Sequence, residues 1–129
     1  MNMRKSVSAG TIWGDVVGYS RAIRTGNMII VSGTAPSDEK GNIVGKGDVY
    51  AQAAYAIRKI EKALQELGAS LDQVVRTRIY TTDITKWKEI ARAHREFFGK
   101  AKPANSMIEV TSLIDPDMLV EVEVDAVID

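Results

Sequence analysis

Apolar positions along the chain change period several times, and each change marks an element. Tyr50, Ala53, Ala54, Ile57, Ile60, Leu64 and Leu67 recur at three- and four-residue spacing. That spacing predicts one apolar stripe on a surface helix. Asp48 precedes the stripe as an N-cap, and Gly68 follows it where a left-handed residue ends a helix. A second stripe, Trp87, Ile90, Ala91, His94, Phe97 and Phe98, predicts a helix that opens near Asp83 or Thr85 and stops at Gly99. Pro103 lies beyond it, where a helix cannot continue.

Elsewhere the period is two. From Leu119 to Ile128, Val120, Val122, Val124, Ala126 and Ile128 share one face. Leu119, Glu121, Glu123, Asp125 and Val127 share the other. Leu71 to Thr82 reads as a strand with Val75, Thr77 and Ile79 on one side and Val74, Arg76, Arg78 and Tyr80 on the other. Asn105 to Val110 is a further strand. Ser20–Thr25 and Met28–Ser32 form a hairpin about Gly26-Asn27, with Gly first as a type II′ turn prefers. The unbroken run Met28-Ile29-Ile30-Val31 predicts a strand covered on both faces. The order is ββ-α-β-α-ββ, with room for a short strand at the N-terminus. It predicts an α+β two-layer fold, a mixed sheet with two helices on one face, as a single domain over residues 1–129.

Composition removes several classes of function. Lys+Arg and Asp+Glu both number 17, so no basic excess marks a nucleic-acid partner. There is no Cys and one His, which excludes disulfides, thiol nucleophiles and multi-His or Cys metal centres. Neither a cofactor nor a metal is expected. The start, Met1 to Gly10, carries no apolar leader after Arg4-Lys5, and no run reaches the ~20 apolar residues of a membrane span. A cytoplasmic protein with no membrane partner is expected.

Three clusters carry candidate chemistry. Glu121, Glu123 and Asp125 share a strand face, about 6.5–7 Å apart in sequence order. They form a carboxylate site with one general base, a solvated acidic face, or an acidic face paired with Arg76 and Arg78. His94 lies on an apolar stripe with Ile90 and Phe98 at i±4, so it reads as a packed, hydrogen-bonded residue. Gly41 to Gly47 lacks the spacing of a phosphate loop, and no nucleophile elbow is present.

An ordered set of short motifs completes the sequence reading. Gly18-Tyr19-Ser20-Arg21-Ala22, Gly26-Asn27 with the apolar run and Ser32-Gly33, and Pro36 come first. Ala51-Gln52-Ala53, Leu71 to Thr77, Tyr80 to Ile84, Phe97-Phe98, Pro103-Ala104 and Val120 to Glu123 follow. From Tyr19 to Ile128 this series resembles the RidA/YjgF family. The resemblance implies a chorismate-mutase-like fold, a homotrimer, and small-molecule ligands in clefts between subunits. It implies hydrolysis of 2-imino or enamino acids to 2-keto acids with release of ammonia.

Carried over by motif, and allowing one extra residue in the turn Ile114-Asp115-Pro116-Asp117, the resemblance gives Glu121 as the catalytic, water-handling carboxylate, with Glu123 as the fallback. Tyr19, Ser32 and Gly33 line the cleft. Asn105 and Ser106 stand in the substrate-binding motif, where the family has Pro-Ala-Arg-Ser and this chain has Pro103-Ala104-Asn105-Ser106. The missing Arg is the main departure; Gly18 before Tyr19, where Pro often stands, is a lesser one. An Arg grips a carboxylate with two charged donors, whereas Asn offers neutral donors and an acceptor. A charge-assisted bond contributes about 1.5–3 kcal/mol against about 1 for a neutral one, so imino-acid binding should weaken about tenfold or more. The leading expectation is a cleft for a small neutral or weakly polar imine, carbonyl or amide-like ligand. The alternatives are ordinary 2-iminobutanoate or 2-iminopropanoate deamination with Arg21, Arg76, Arg78 or Lys102 as the substitute cation, and a non-catalytic metabolite-binding trimer. RNA cleavage has little footing in a neutral chain with one His.

Overall fold

The computed structural model describes residues 4–129. Met1 to Met3, the start of the segment examined for a leader, lie outside them. Among the described residues, six strands form one sheet in the order β1-β2-β3-β6-β4-β5. They are β1 (Lys5–Ser8), β2 (Ser20–Thr25), β3 (Met28–Thr34), β4 (Val74–Thr81), β5 (Ala104–Glu109) and β6 (Val120–Val127). Only β4 and β5 pair in parallel, so the sheet is mixed. The helices are α1 (Val49–Glu66) and α2 (Trp87–Phe98). The fold is α+β, as the patterning predicts.

Local chemistry sets the element ends. Asp48 caps α1 by accepting a hydrogen bond from the Ala51 N–H at 3.0 Å. Gly68, at φ 86°, ends it in the left-handed region. Gly26 has φ 61° while Asn27 keeps a negative φ, which is the pattern of the type II′ hairpin. Asp83 caps a 3-10 turn, Ile84–Lys86, and α2 proper opens at Trp87.

The core lies between the helices and one sheet face. Ile57, Ile60 and Leu64 of α1 meet Ile29 and Val31 of β3 and Val120, Val122 and Val124 of β6. All eight are essentially inaccessible to solvent. Burying one such side chain is worth roughly 1.5–3 kcal/mol.

Three expectations need correction. Val74 is buried and Val75 exposed, the reverse of the simple alternation. A register shift between Val74 and Arg76 against β6 inserts the extra residue, so Val74 joins Thr77 and Ile79 on the helix side. The strand opens later than Leu71, because Leu71–Gln73 forms a 3-10 turn. In the run at β3, Ile29 and Val31 are buried, but Met28 and Ile30 are exposed on the helix-free face of this single chain. A π turn, Gly14–Gly18, has no counterpart in the sequence expectations.

Candidate functional site

The strand β6 alternates without fault, so Glu121, Glu123 and Asp125 all stand on the helix-free face. Their surroundings separate them. Arg78 of β4 reaches Glu123 at 3.5 Å and Asp125 at 3.6 Å. The Tyr80 hydroxyl donates to Glu123 Oε1 at 2.8 Å. The paired-acid reading therefore holds for these two, with Arg78 as the partner. Glu121 has no such partner and lines a cleft of about 500 Å³ instead.

That cleft lies where β3 breaks register with β6 between Val31 and Thr34. The irregularity carries Ser32 and Gly33 past Glu121. A Cβ built on Gly33 would stand 3.1 Å from the Cδ and Oε2 atoms of Glu121, so the backbone approaches the carboxylate closely because residue 33 lacks a side chain. Ser32 is turned away from chemistry, since its hydroxyl donates to the Ser20 carbonyl at 2.7 Å.

Arg21 is buried beneath this segment. Its Nη1 donates to the Gly33 carbonyl at 2.8 Å and to Thr34 Oγ1 at 3.0 Å. Its Nη2 donates to the Tyr19 hydroxyl at 3.2 Å. Lys59 of α1 braces the same stretch further on, donating from Nζ to the carbonyls of Ala35 and Ser37 at 2.9 Å each. Trp13, Val17, Ile43, Ile114 and Met118 supply apolar wall. Of the cations named as stand-ins for the missing Arg, Arg21 lines the cleft, with its guanidinium committed to protein acceptors.

Electrostatics follow from burial and these neighbours. Burial raises the Glu121 carboxyl above the ordinary glutamate value; Arg21 pulls it back, Glu123 adds to the rise and Lys59 opposes it. Burial, then the charge of Arg21, lowers Lys59 to about 8. Glu121 thus faces a partly apolar cleft that also carries the positive charges of Arg21 and Lys59.

Asn105 and Ser106 lie elsewhere. They sit on the edge strand β5, opposite Thr77 and Arg78 of β4, two strands away from β6. Asn105 is on the helix side, where its Nδ2 donates to Thr77 Oγ1 at 2.8 Å. Within one chain it does not meet Glu121. The structure thus brings Tyr19, Ser32, Gly33 and Glu121 to one cleft and leaves Asn105 and Ser106 on another edge. Sequence reasoning missed Lys59 and the apolar wall. Lys59 sits on the flank of the α1 stripe, and no spacing rule points it at a loop some twenty residues upstream.

The family model described as Endoribonuclease L-PSP matches residues 14–128. The chain is a member of the RidA/YjgF family. Its relatives within that family include a RutC family protein of Pyrococcus abyssi, 38% identical over 105 residues, covering 81% of this chain and 82% of the relative. Another is described as 3-aminoacrylate deaminase RutC, from Acinetobacter baylyi, 32% identical over 104 residues and covering 81% and 82% of the two chains. Among solved structures, a YjgF/YER057c/UK114 family member from Mycobacterium tuberculosis superposes with TM-score 0.89 at 47% identity, covering 98% of this RidA/YjgF chain and 100% of that one. No helix among the described residues is long and apolar enough to cross a membrane.

Proposed function

We propose that this RidA/YjgF protein hydrolyses a small imine or enamine, with Glu121 as the proton-handling group. The observation that carries the reading is the half-buried Glu121 carboxylate, packed against Gly33, held above its ordinary pKa and facing a cleft whose Tyr19 and Gly33 are fixed by Arg21. Water adds to the C=N carbon as Glu121 takes its proton. Glu121 returns that proton to nitrogen, giving a carbinolamine, and then takes the remaining hydroxyl proton and passes it to nitrogen as the C–N bond breaks, so that a carbonyl and ammonia leave. An enamine enters the same path after protonation at carbon. The Acinetobacter relative's description as a deaminase of 3-aminoacrylate supports this reaction class.

The working unit is a homotrimer. Its clefts lie between subunits, each completed by β5 of a neighbouring copy, so that Asn105 and Ser106 of one subunit reach the Glu121 cleft of the next. Exposed apolar residues on the helix-free face and on edge strand β5, among them Ile30 at 47% and Ile108 at 44% exposure, support such an assembly. The cytoplasm is its expected location.

Ammonia release from a panel of freshly generated imines, by the wild type and by Glu121→Gln, tests the reading. Loss of turnover in the variant is expected. Equal rates would remove Glu121 from the mechanism. Sedimentation showing a stable monomer would remove the shared cleft.

A further inference from the structure

Three elements meet at Asn105. Its Nδ2 donates to Thr77 Oγ1 at 2.8 Å, and the same oxygen lies 2.8 Å from His94 Nε2 on α2. Thr77 is fully buried. A hydroxyl has one hydrogen to give. If both Asn105 and His94 donated to Thr77, that hydrogen would be left without either neighbour as acceptor inside the core. With the Asn105 amide oriented as the structure has it, Nδ2 toward Thr77, the pattern that satisfies every group is Asn105 N–H to Thr77 oxygen and Thr77 O–H to His94 Nε2. It requires a neutral imidazole with its proton on Nδ1. It also leaves Oδ1 as the free end of the Asn105 amide, on the exposed strand β5.

We propose that Thr77 and His94 are positioning residues that turn the Asn105 carbonyl oxygen toward the ligand, so that the site selects an imine or enamine bearing an uncharged N–H or O–H donor, such as a carboxamide, in place of a carboxylate. The proposal rests on the reading above that Asn105 borders the cleft of a neighbouring subunit. A carboxylate facing Oδ1 would set two acceptors against each other. A carboxamide presents a donor there.

Protonating His94 reverses the chain. Nε2 then donates to Thr77, the Thr77 hydroxyl donates to Asn105 Oδ1, and the amide must turn its NH₂ outward. Burial lowers the His94 pKa, with no charged side chain contributing, so the neutral form holds at pH 7. Several charged groups of the elements packed around it are engaged elsewhere. Glu96 accepts from Tyr50, Arg92 stands over the Tyr50 ring and Arg58 over Phe97. Lys100 pairs with Asp72, and Asp83 caps at Thr85.

The chain has one His, so nitrogen-15 NMR sees a single imidazole. At pH 7.5 it should show the proton on Nδ1; a proton on Nε2 overturns the orientation. Calorimetric titration with pyruvamide and pyruvate reads the selectivity. Pyruvamide should bind about tenfold or more tightly than pyruvate at pH 7.5, and the ratio should fall as pH drops through the His94 pKa. In His94→Phe, Thr77 is released to donate to Oδ1, and the ratio should invert. A merely structural role would weaken both ligands alike. A wild type that prefers pyruvate or binds neither, or a ratio unmoved by His94→Phe, overturns the proposal. Failure of the parent reading shows separately, as undiminished turnover in Glu121→Gln, while the His94 tautomer is read independently of turnover.

Discussion

The carboxylate of Glu121 rests on the backbone of Gly33, with no room between them for a methyl group. A Cβ at residue 33 would approach Cδ and Oε2 of Glu121 to 3.1 Å. The φ of Gly33 is not in the left-handed region, so alanine there is sterically tolerable to the backbone itself. Gly33→Ala should therefore fold normally and push the carboxylate aside by a few tenths of an ångström. Small misplacement of a reacting group is costly, with ~1 Å reaching about a hundredfold. A fall in kcat of about tenfold, with an unchanged melting transition, is the expected result. An unchanged kcat would show that the carboxylate has no fixed place in the reaction.

In the proposed reaction the ionised form of Glu121 is the one that accepts a proton from water. Its pKa lies above the ordinary glutamate value, chiefly through burial. The rate should be full above that raised pKa and fall as pH drops through it. Arg21 lowers this pKa, so Arg21→Met should move the acid limb to higher pH. A pH–rate profile of both proteins measures the shift. An acid limb at the same pH in both would mean that another group sets it.

Much of the fold is legible in the pattern of residues, because the deciding interactions are local. The stripe from Tyr50 to Leu67, capped by Asp48 and stopped by Gly68, becomes α1. The alternation from Val120 to Val127 becomes β6, with its acids on one face. The failures have physical causes. Val74 and Val75 exchange faces because one extra residue enters the register, and no local signal announces a bulge. Glu121 parts from Glu123 because β4 supplies Tyr80 and Arg78 to one acid and not the other. Arg21 was legible as a nearby cation, but its buried grip on Gly33 and Tyr19 depends on how β2 and β3 pair. The Asn105 network joins β5, β4 and α2, and no window of sequence contains all three.

Lys59 ties α1 to the segment leaving β3 through the carbonyls of Ala35 and Ser37. Lys59→Met keeps most of the side-chain bulk and removes the donors. Hydrogen bonds from a charged group contribute about 1.5–3 kcal/mol each before the cost of burying that group is counted, so a net loss of about 1–3 kcal/mol is expected. Urea unfolding measures it. Stability equal to the wild type would mean that desolvating the ammonium cancels its bonds.

Gln52 holds the other approach to Glu121. It is fully buried, donates from Nε2 to the Asp117 carbonyl at 2.9 Å, and accepts at Oε1 from the Leu119 N–H at 2.8 Å. Leu119 is two residues before Glu121. Gln52→Leu strands both backbone groups, at about 1–3 kcal/mol for each left without water. Gln52→Glu is the sharper probe. Protonated, its carboxyl can still donate to Asp117 and accept from Leu119. Ionised, it sets a buried negative charge against the Asp117 carbonyl. Its folded pKa should therefore exceed the unfolded value of about 4.3. A raised folded carboxyl pKa means that the native state binds the extra proton. The stability of Gln52→Glu relative to wild type should thus be greatest below about pH 4.3 and decline as pH rises to the folded pKa. Urea unfolding of both proteins at several pH values reads that difference directly. A difference that stays constant with pH would show that water or loop movement relieves the charge, and that Gln52 does not rigidly fix the entry to β6.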